Sequence, residues 1–266
     1  MTRRRLDLEM VRRGLVESRE IAQSLIASGK VTVAGAPALK PSRLVEPSQP
    51  LKIIDPRPRY VSRAGGKLEA ALENFKVDIT SKRCIDIGAS TGGFTDCLLQ
   101  HEAHSVLAVD VGKGQIHERI VADSRVEVLE QTDVRSLEPE KVGAPFDILT
   151  ADLAFISLRA VMSELFSLVK KGSDMLLLVK PQFEAGKKEA DAGRGVIRDP
   201  EVWKEVLERV KDSINFHNAA IIECMPSPIK GSEGNVEFFL HVVPHTTQGE
   251  IEISKSVSLA IDRSGD

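Results

Sequence analysis

The 266-residue sequence is poor in aromatic residues, cysteine and long apolar runs, and each shortage excludes a class of protein. Aromatic residues make up 4%, which argues against a surface that binds single strands mainly by stacking bases on rings. Cys84, Cys97 and Cys224 are scattered, without a C-x-x-C pair or clustered Cys/His spacing, so neither a disulfide framework nor a metal site is predicted. The longest apolar run, residues 175–179, is far shorter than the roughly 18 residues of a membrane helix. With no apolar stretch behind the basic N-terminus, we expect a cytoplasmic protein that needs no membrane.

The net charge of the chain divides at about residue 60. Residues 1–60 contain 12 Lys/Arg and 6 Asp/Glu, a net charge of +6, and since the whole chain carries −3, the remaining residues carry −9. A basic first segment joined to an acidic body indicates a nucleic-acid-binding module attached to a second domain.

Hydrophobic periodicity predicts a small α+β domain over residues 1–55. Helical spacing of apolar residues indicates two short helices, which end at Gly14 and Gly29, with Ser18 as the cap of the second. Alternating residues at 30–34 and 51–54 then predict two strands. Paired prolines in residues 56–61 favour an extended linker to the next domain.

From residue 62 to 246 the pattern is typical of an α/β domain. A helix is predicted from Ser62 to about Lys76, and the strands that follow alternate mostly with helix-length segments. The predicted strands are residues 84–87, 105–109, 126–129, 146–150, 175–179, 219–224 and 236–242. We predict a seven-stranded doubly wound sheet of the Rossmann-like type, with an antiparallel last strand. Residues 247–266 are predicted to form a polar tail, in which 251–260 has the composition for one more short element.

A glycine-rich turn follows the first predicted strand of this sheet. In doubly wound folds that turn holds a nucleotide-like cofactor, because glycines let the backbone approach the ligand. The spacing of Gly88, Gly92 and Gly93 does not match the dinucleotide fingerprint, and Asp86 favours a cationic ligand such as S-adenosylmethionine over a pyrophosphate. Asp110 and Asp133, at the next two strand ends, are suited to ribose hydroxyls and an adenine amine, with ordinary turn chemistry as the alternative. The candidate cofactor-binding residues are Asp86, Gly88, Ser90, Gly92, Gly93, Phe94, Asp110, Asp133 and Asp152.

Four charged residues form a second candidate group: Lys67, Asp152, Lys180 and Glu237. Asp152 and Lys180 follow the fourth and fifth strands, so both are expected at the carboxyl edge of the sheet, where such folds bind ligands. Lys180 directly follows an apolar strand and precedes a proline, so its amine is expected to be partly desolvated. Charges in apolar surroundings need partners, and these four are suited to pair with one another. The alternatives are a solvated helix residue for Lys67, a strand-end salt bridge for Lys180 and an edge-strand or pairing residue for Glu237.

Several motifs occur in one order along residues 3–245. They are the basic helical module and residues 62–67, 86–96, 151–157, 180–184 and 234–239. Together they resemble the TlyA family, proteins long labelled haemolysins that act as ribosomal RNA 2′-O-methyltransferases. The resemblance implies an S4-like RNA-binding domain at 1–55, an FtsJ-like methyltransferase domain at 62–246 and S-adenosyl-L-methionine as cofactor. It also aligns Lys67, Asp152, Lys180 and Glu237 with the catalytic Lys-Asp-Lys-Glu tetrad of the family.

The resemblance further implies ribosomal RNA or ribosomal subunits as partners, with cytidine in 16S or 23S rRNA as the target. The candidate RNA-binding residues are Arg3, Arg4, Arg5, Arg12, Arg19, Lys30, Arg59 and Arg63. The long connection 181–200 is predicted to be a lid on the RNA side, with a solvated loop as the alternative. Three other functions are kept open: a small-molecule or protein methyltransferase, an RNA-binding regulator without catalysis, and a membrane-active haemolysin. The sequence does not distinguish a monomer from a homodimer.

Overall fold

In a computed structural model, the chain folds as two units, Met1–Arg59 and Tyr60–Asp266. The structure describes residues 3–54, 59–186, 195–246 and 251–264. The first half of the predicted linker (56–58) and the central part of the predicted lid (187–194) therefore lie outside the described residues. The same holds for two stretches of the predicted tail, 247–250 and 265–266.

Residues 3–54 of the first unit form two helices and five short strands. The helices are α1 (Leu6–Arg12) and α2 (Arg19–Ala27), and the strands are β1 (Arg4–Arg5), β2 (Val31–Val33), β3 (Ala36–Pro37), β4 (Leu44–Val45) and β5 (Leu51–Ile53). The Ser18 side chain caps α2 by accepting from the Ile21 amide. Strand β2 pairs antiparallel with β3 and β5, and β1 pairs with β4. The two-residue strands escape sequence prediction because they are too short to show alternation.

The second unit contains a seven-stranded sheet covered by helices. Its strands are β6 (Arg83–Ile87), β7 (Ser105–Val109), β8 (Val126–Leu129), β9 (Phe146–Ala151), β10 (Val169–Val179), β11 (Ala219–Pro226) and β12 (Phe238–Pro244). The sheet order is β11-β12-β10-β9-β6-β7-β8. Strand β12 runs antiparallel to both of its neighbours, and the remaining pairs are parallel. The predicted fold class is confirmed.

Helices of the second unit pack on the sheet through two apolar clusters. The α-helices in the described part of this unit are α3 (Arg63–Phe75), α4 (Gly93–Gln100), α5 (Glu118–Val121), α6 (Met162–Ser167), α7 (Pro181–Glu184), α8 (Pro200–Phe216) and α9 (Ile253–Ser264). One cluster joins α8 and α9 to the sheet, and the other joins α3 and α4 to it. Both faces of the sheet are thus buried, as parallel sheets require.

The chain order reverses beside β6, and this reversal creates the site. From β6 the chain proceeds outward through β7 and β8, then returns to the other side of β6 as β9. In register, Ile87 of β6 lies beside Val109 of β7 and Ala151 of β9. The residues that follow these strand ends therefore emerge together at a crevice, which is where open α/β sheets bind ligands.

The structure differs from the predicted linker at residues 60 and 61. Tyr60 is buried in the second unit, and the Val61 amide donates to the Asp96 carboxylate at 2.8 Å. An aromatic side chain and a backbone amide that both find partners are held against the fold, so these two residues are not linker.

The short element considered for residues 251–260 of the predicted tail forms α9, and this helix packs on the second unit. Ile253, Val257 and Ala260 are buried on one face of this helix, and the Ser256 hydroxyl donates to the Cys224 carbonyl at 2.8 Å. Apolar residues at i, i+4 and i+7 make a stripe that is narrow but sufficient to dock a helix.

We expect Val257→Asp to lower the free energy of unfolding by about 3 kcal/mol, because it places a charge in the contact between α9 and the sheet. Ser258→Asp, at an exposed position of the same helix, should change it by less than about 0.5 kcal/mol. Urea denaturation of both variants measures the difference. Equal effects of the two substitutions would show that α9 is not docked.

Candidate functional site

The four charged residues predicted as a group line one cavity of about 250 Å³. Lys67 comes from the second turn of α3, and Glu237 directly precedes β12. Asp152 directly follows β9, and Lys180 follows β10 as the N-cap residue of α7. Four separate elements thus deliver these side chains to the crevice.

The four side chains form two ion pairs. Lys67 Nζ donates to Glu237 Oε2 at 2.5 Å, and both side chains are almost fully buried. Lys180 Nζ lies 2.5 Å from Asp152 Oδ1, with the two side chains 13% and 16% exposed. This pair is more exposed than the first, whose side chains are 6% and 3% exposed. The second pair is therefore the one open to a third polar group.

A larger cavity of about 620 Å³ adjoins the first. The two share Gly88, Ser90 and Asp152 as lining residues. Gly88 has φ +83°, and a Cβ at this position would lie 2.6 Å from the Asp152 carbonyl oxygen. Only glycine fits there, so the close approach of the β6 and β9 loops depends on it.

Two acids predicted to bind the cofactor line the larger cavity, and both are held in place. Asp110 accepts from the amides of Ser90 at 2.8 Å and Gly112 at 2.6 Å. Asp133 pairs with Arg135 at 2.5 Å, and this guanidinium lowers the pKa of Asp133 to about 2. An ionised carboxylate accepts about four hydrogen bonds, so Asp110, with two, retains acceptor capacity toward the cavity. Asp133 already accepts three hydrogen bonds from the Arg135 guanidinium and one from the Arg135 amide.

Three predicted cofactor residues line neither cavity. Asp86 is fully buried below the turn, where it accepts from the hydroxyls of Thr95 at 2.7 Å and Thr150 at 2.9 Å. A Cβ on Gly92 would meet Ile120 at 3.0 Å, and one on Gly93 would meet the Ser62 hydroxyl at 2.2 Å. These glycines allow close packing at the start of α4. Phe94, the next residue, lines the smaller cavity.

Phe155, which the sequence analysis did not single out, lies beside the larger cavity. Its side chain is 91% exposed, its φ is +64°, and its ring centroid lies 5.4 Å from that of Phe183. A large exposed aromatic residue in a strained conformation is costly unless a ligand or partner covers it. Its signal in the sequence is its position three residues after Asp152.

Glu184 joins the loop after β9 to helix α7. It is buried and accepts from the Ser157 hydroxyl and the Leu158 amide, both at 2.5 Å, and from Arg159 Nε at 3.1 Å. The loop after β9 carries Asp152, and α7 directly follows Lys180. Glu184 therefore fixes the spacing between the two elements that form the second ion pair.

The structure also groups Glu69, Cys97 and His101, with ligand-type atoms within 4.8 Å of one another. Sequence spacing does not reveal this group, because Glu69 lies on α3, 28 residues before Cys97. His101 Nε2 lies 2.8 Å from Glu69 Oε2, and the Tyr60 hydroxyl also donates to that oxygen. The Glu69 carboxylate thus already has hydrogen-bond partners, and we interpret the group as a hydrogen-bonded contact between α3 and α4.

Most of the predicted RNA-binding arginines of the first unit are paired with acids of the same unit. Arg3 pairs with Glu46, Arg5 and Arg19 pair with Asp7, and Arg4 and Arg12 pair with Glu9. Lys30, Arg59 and Arg63 are exposed, and Arg63 lines the smaller cavity of the second unit. Within the described ranges, no helix has the length and apolar character needed to cross a membrane.

Comparison with known protein families matches both units. A family model described as FtsJ-like methyltransferase matches residues 60–243, and one described as S4 domain matches residues 4–51. The Mycobacterium tuberculosis protein named 16S/23S rRNA (cytidine-2′-O)-methyltransferase TlyA is 43% identical over 242 residues, covering 90% of this chain and 89% of that protein.

Two further relatives agree with this match. A Bacillus subtilis protein, provisionally named rRNA methyltransferase YqxC, is 44% identical over 243 residues, covering 90% of this chain and 85% of that protein. A solved structure from Streptococcus thermophilus, provisionally named a hemolysin, superposes with a TM-score of 0.76 at 34% identity. That structure covers 100% of this chain, and this chain covers 98% of it.

The buried Asp86 generates a prediction about pH. Burial raises the pKa of Asp86 from 3.8 to about 6, so the folded state holds this proton more tightly than the unfolded state. The stabilisation by the protonated form is therefore complete below about pH 4 and is lost as the pH rises through about 6. Asp86→Asn removes this loss. We expect the free energy of unfolding of Asp86→Asn, relative to that of wild type, to be about 1 kcal/mol larger at pH 8 than at pH 5, so that the variant gains relative stability as the pH rises.

Urea denaturation at the two pH values measures this difference. Asp212→Asn serves as the control, since Asp212 is exposed on α8 and its replacement should give the same small difference at both pH values. An Asp86→Asn effect that does not change with pH would contradict the assignment of a buried, proton-binding carboxylate.

Proposed function

Because the chain belongs to the FtsJ-like methyltransferase family, as its motifs predicted, we propose that it methylates a ribose 2′-hydroxyl of ribosomal RNA. One observation carries the proposal: the cavity lined by Lys67, Asp152, Lys180 and Glu237 adjoins the larger cavity through Asp152. A methyl donor in the larger cavity would face a hydroxyl in the smaller one. Such adjacency is what a direct transfer requires.

The larger cavity suits S-adenosylmethionine by charge and by hydrogen bonding. Asp110 offers acceptor positions for ribose hydroxyls, and the turn that begins at Gly88 brings backbone close to the ligand. Asp133 lies in the lining where an amine would take over contacts now made by Arg135. Of the three acids in the described lining, Asp133 pairs with Arg135 and Asp152 pairs with Lys180. The charge of Asp110 is left over, which favours a ligand with a positive sulfonium. When bound, S-adenosylmethionine supplies a methyl group already activated on sulfur.

The residues of the smaller cavity align the acceptor hydroxyl and take its proton. S-adenosylmethionine would supply the methyl group, with S-adenosylhomocysteine as the leaving product. Lys180 would take the hydroxyl proton as a neutral amine or, as an ammonium, would steer the hydroxyl while the proton passes to solvent, and Asp152 would hold the lysine in place. Lys67 on α3 and Glu237 directly before β12 form the other ion pair, which positions the ribose. Holding the reactants at near-attack distance lowers such a barrier by several kcal/mol.

RNA is the proposed substrate because it alone carries a 2′-hydroxyl. The first 60 residues, with a net charge of +6, would hold the phosphate backbone, while the ring of Phe155 offers a stacking face for a base beside the site. Following the name of the M. tuberculosis relative, we propose cytidine in 16S or 23S rRNA as the target. Isolated RNA and ribosomal subunits are the corresponding partners.

We expect Lys180→Ala to reduce methyl transfer to rRNA by about 100-fold or more, because the hydroxyl loses its base or steering group. The measurement is incorporation of label from methyl-tritiated S-adenosylmethionine into rRNA transcripts and ribosomal subunits. Lys170→Ala, in a surface pair with Asp147, should retain wild-type activity. Calorimetry should show that both variants still bind S-adenosylmethionine. A Lys180→Ala rate within twofold of wild type would remove this residue from the mechanism.

Glu184→Gln should lower kcat about tenfold without weakening RNA binding, because it loosens the contact that spaces Asp152 from Lys180. Replacement of Glu205, which pairs with Arg209 on the surface of α8, provides the matched Glu→Gln control and should leave kcat unchanged. Steady-state kinetics with rRNA separate kcat from KM. An unchanged kcat in Glu184→Gln would show that the loop and α7 hold their positions without it.

A further inference from the structure

We propose that Asp7 and Glu9, two buried acids of the first unit, position the arginines that contact RNA phosphates. The inference rests on the proposed RNA substrate and goes beyond it, because it assigns an RNA-binding role to negative charges. Two clusters of side chains carry the argument. We call them the Asp7 cluster (Asp7, Arg5, Arg19 and Gln23) and the Glu9 cluster (Glu9, Arg4, Arg12 and Arg13).

In the Asp7 cluster one carboxylate receives five donors. Arg5 binds both oxygens, through Nε at 3.0 Å and Nη2 at 2.9 Å. Arg19 Nε and Gln23 Nε2 each bind Oδ2 at 3.0 Å, and the Leu8 amide binds Oδ1 at 3.0 Å. Asp7 is fully buried, yet the side chains of Arg5 and Arg19 remain 39% and 49% exposed. The acid thus fixes two arginines, from β1 and α2, that still reach solvent.

The Glu9 cluster repeats this arrangement along α1. Arg12 binds both oxygens of Glu9, at 2.8 and 2.6 Å, and Arg4 Nη1 lies 3.9 Å from Oε2. Glu9 is fully buried, whereas the side chains of Arg4 and Arg12 are 52% and 49% exposed. Arg13 also binds Glu9 but is only 19% exposed.

Arg13 has a different task from its neighbours. Besides Glu9 at 2.8 Å, it donates to the carbonyls of Gln49, Pro47 and Glu46 at 2.8 to 3.2 Å. Its guanidinium N–H groups are therefore hydrogen-bonded within the first unit, and Arg13 connects the end of α1 to the segment after β4. The arginines left for a ligand are Arg4, Arg5, Arg12 and Arg19.

Both acids are ionised at neutral pH. The hydrogen bonds from Arg5 hold the pKa of Asp7 well below its ordinary value, and those from Arg12 lower the pKa of Glu9 to about 2. Each cluster nevertheless keeps a net positive charge, because Asp7 faces two arginines and Glu9 faces three.

The physical advantage is preorganisation. A guanidinium has five N–H donors, and a carboxylate that binds one or two of them leaves the others for a phosphate. A free arginine side chain loses rotamer entropy when it binds, whereas an anchored one has already lost most of it. Counting charges predicts that removal of an acid strengthens RNA binding. The geometry predicts the opposite.

The test measures binding of the full-length protein to in-vitro-transcribed 16S and 23S rRNA over a series of salt concentrations. At about 0.15 M salt, Asp7→Asn should bind about tenfold more weakly than wild type. Its plot of log affinity against log salt should be shallower by about 1, because fewer arginines neutralise phosphates. Glu17→Gln, which adds the same charge at an exposed position outside both clusters, should bind as wild type or slightly more tightly.

A double-mutant cycle separates positioning from a merely structural role. Arg19→Gln should weaken binding several-fold in the wild-type background and have almost no effect in Asp7→Asn, since Asp7 acts through Arg19. Thermal unfolding checks that each variant is folded. If Asp7→Asn is unfolded, Glu9→Gln combined with Arg12→Gln provides the same cycle.

The proposal is overturned if Asp7→Asn binds as tightly as Glu17→Gln, or if the effects of Asp7→Asn and Arg19→Gln simply multiply. A wild-type protein that binds neither transcript and neither ribosomal subunit overturns the proposed function, and this inference with it. Tight wild-type binding that Asp7→Asn does not change overturns this inference alone.

Discussion

The constraint on which the site depends is that two lysines and two carboxylates share one small, mostly buried cavity. Buried charges are tolerated only when each has a partner. Removing one member of a buried ion pair strongly destabilises the folded protein, because the other charge is left uncompensated. Lys67, Asp152, Lys180 and Glu237 come from four elements, so each element must keep its register for both pairs to form. The topology of the sheet meets this requirement, because the reversal of chain order beside β6 brings the strand ends to one crevice.

The loops around this crevice are held from behind by further polar contacts. Gly88 allows the β6 and β9 loops to touch, Asp110 binds the glycine-rich turn, and Glu184 ties the β9 loop to α7. The proposed methyl transfer uses a donor that is already activated, so alignment is the main task left to the protein. A site fixed by buried hydrogen bonds rather than by surface pairs is suited to that task.

Much of the fold and of the site was predictable from the sequence, and the remainder depends on contacts that a linear pattern does not contain. The apolar segments of the sequence predicted the strands of the sheet. The position of Asp152 and Lys180 directly after two of these segments predicted that both lie at its carboxyl edge. Asp86 faces the core because it accepts hydrogen bonds from Thr95 and Thr150. Thr95 lies on the next helix and Thr150 lies 64 residues further along the chain, so the sequence pattern does not show these contacts. The same holds for the arginines of the first unit. Their number indicates a basic surface, but only the structure shows that most are anchored on buried acids.

The central claim is that the methyl group is transferred to a ribose 2′-hydroxyl of rRNA. Nucleoside analysis by mass spectrometry, after incubation of unmodified rRNA or ribosomal subunits with the protein and isotope-labelled S-adenosylmethionine, tests it most directly. The account predicts a labelled nucleoside, expected to be cytidine, whose added methyl group is on the ribose. A label found on a nucleobase, or on protein or small molecules with none in RNA, would contradict it.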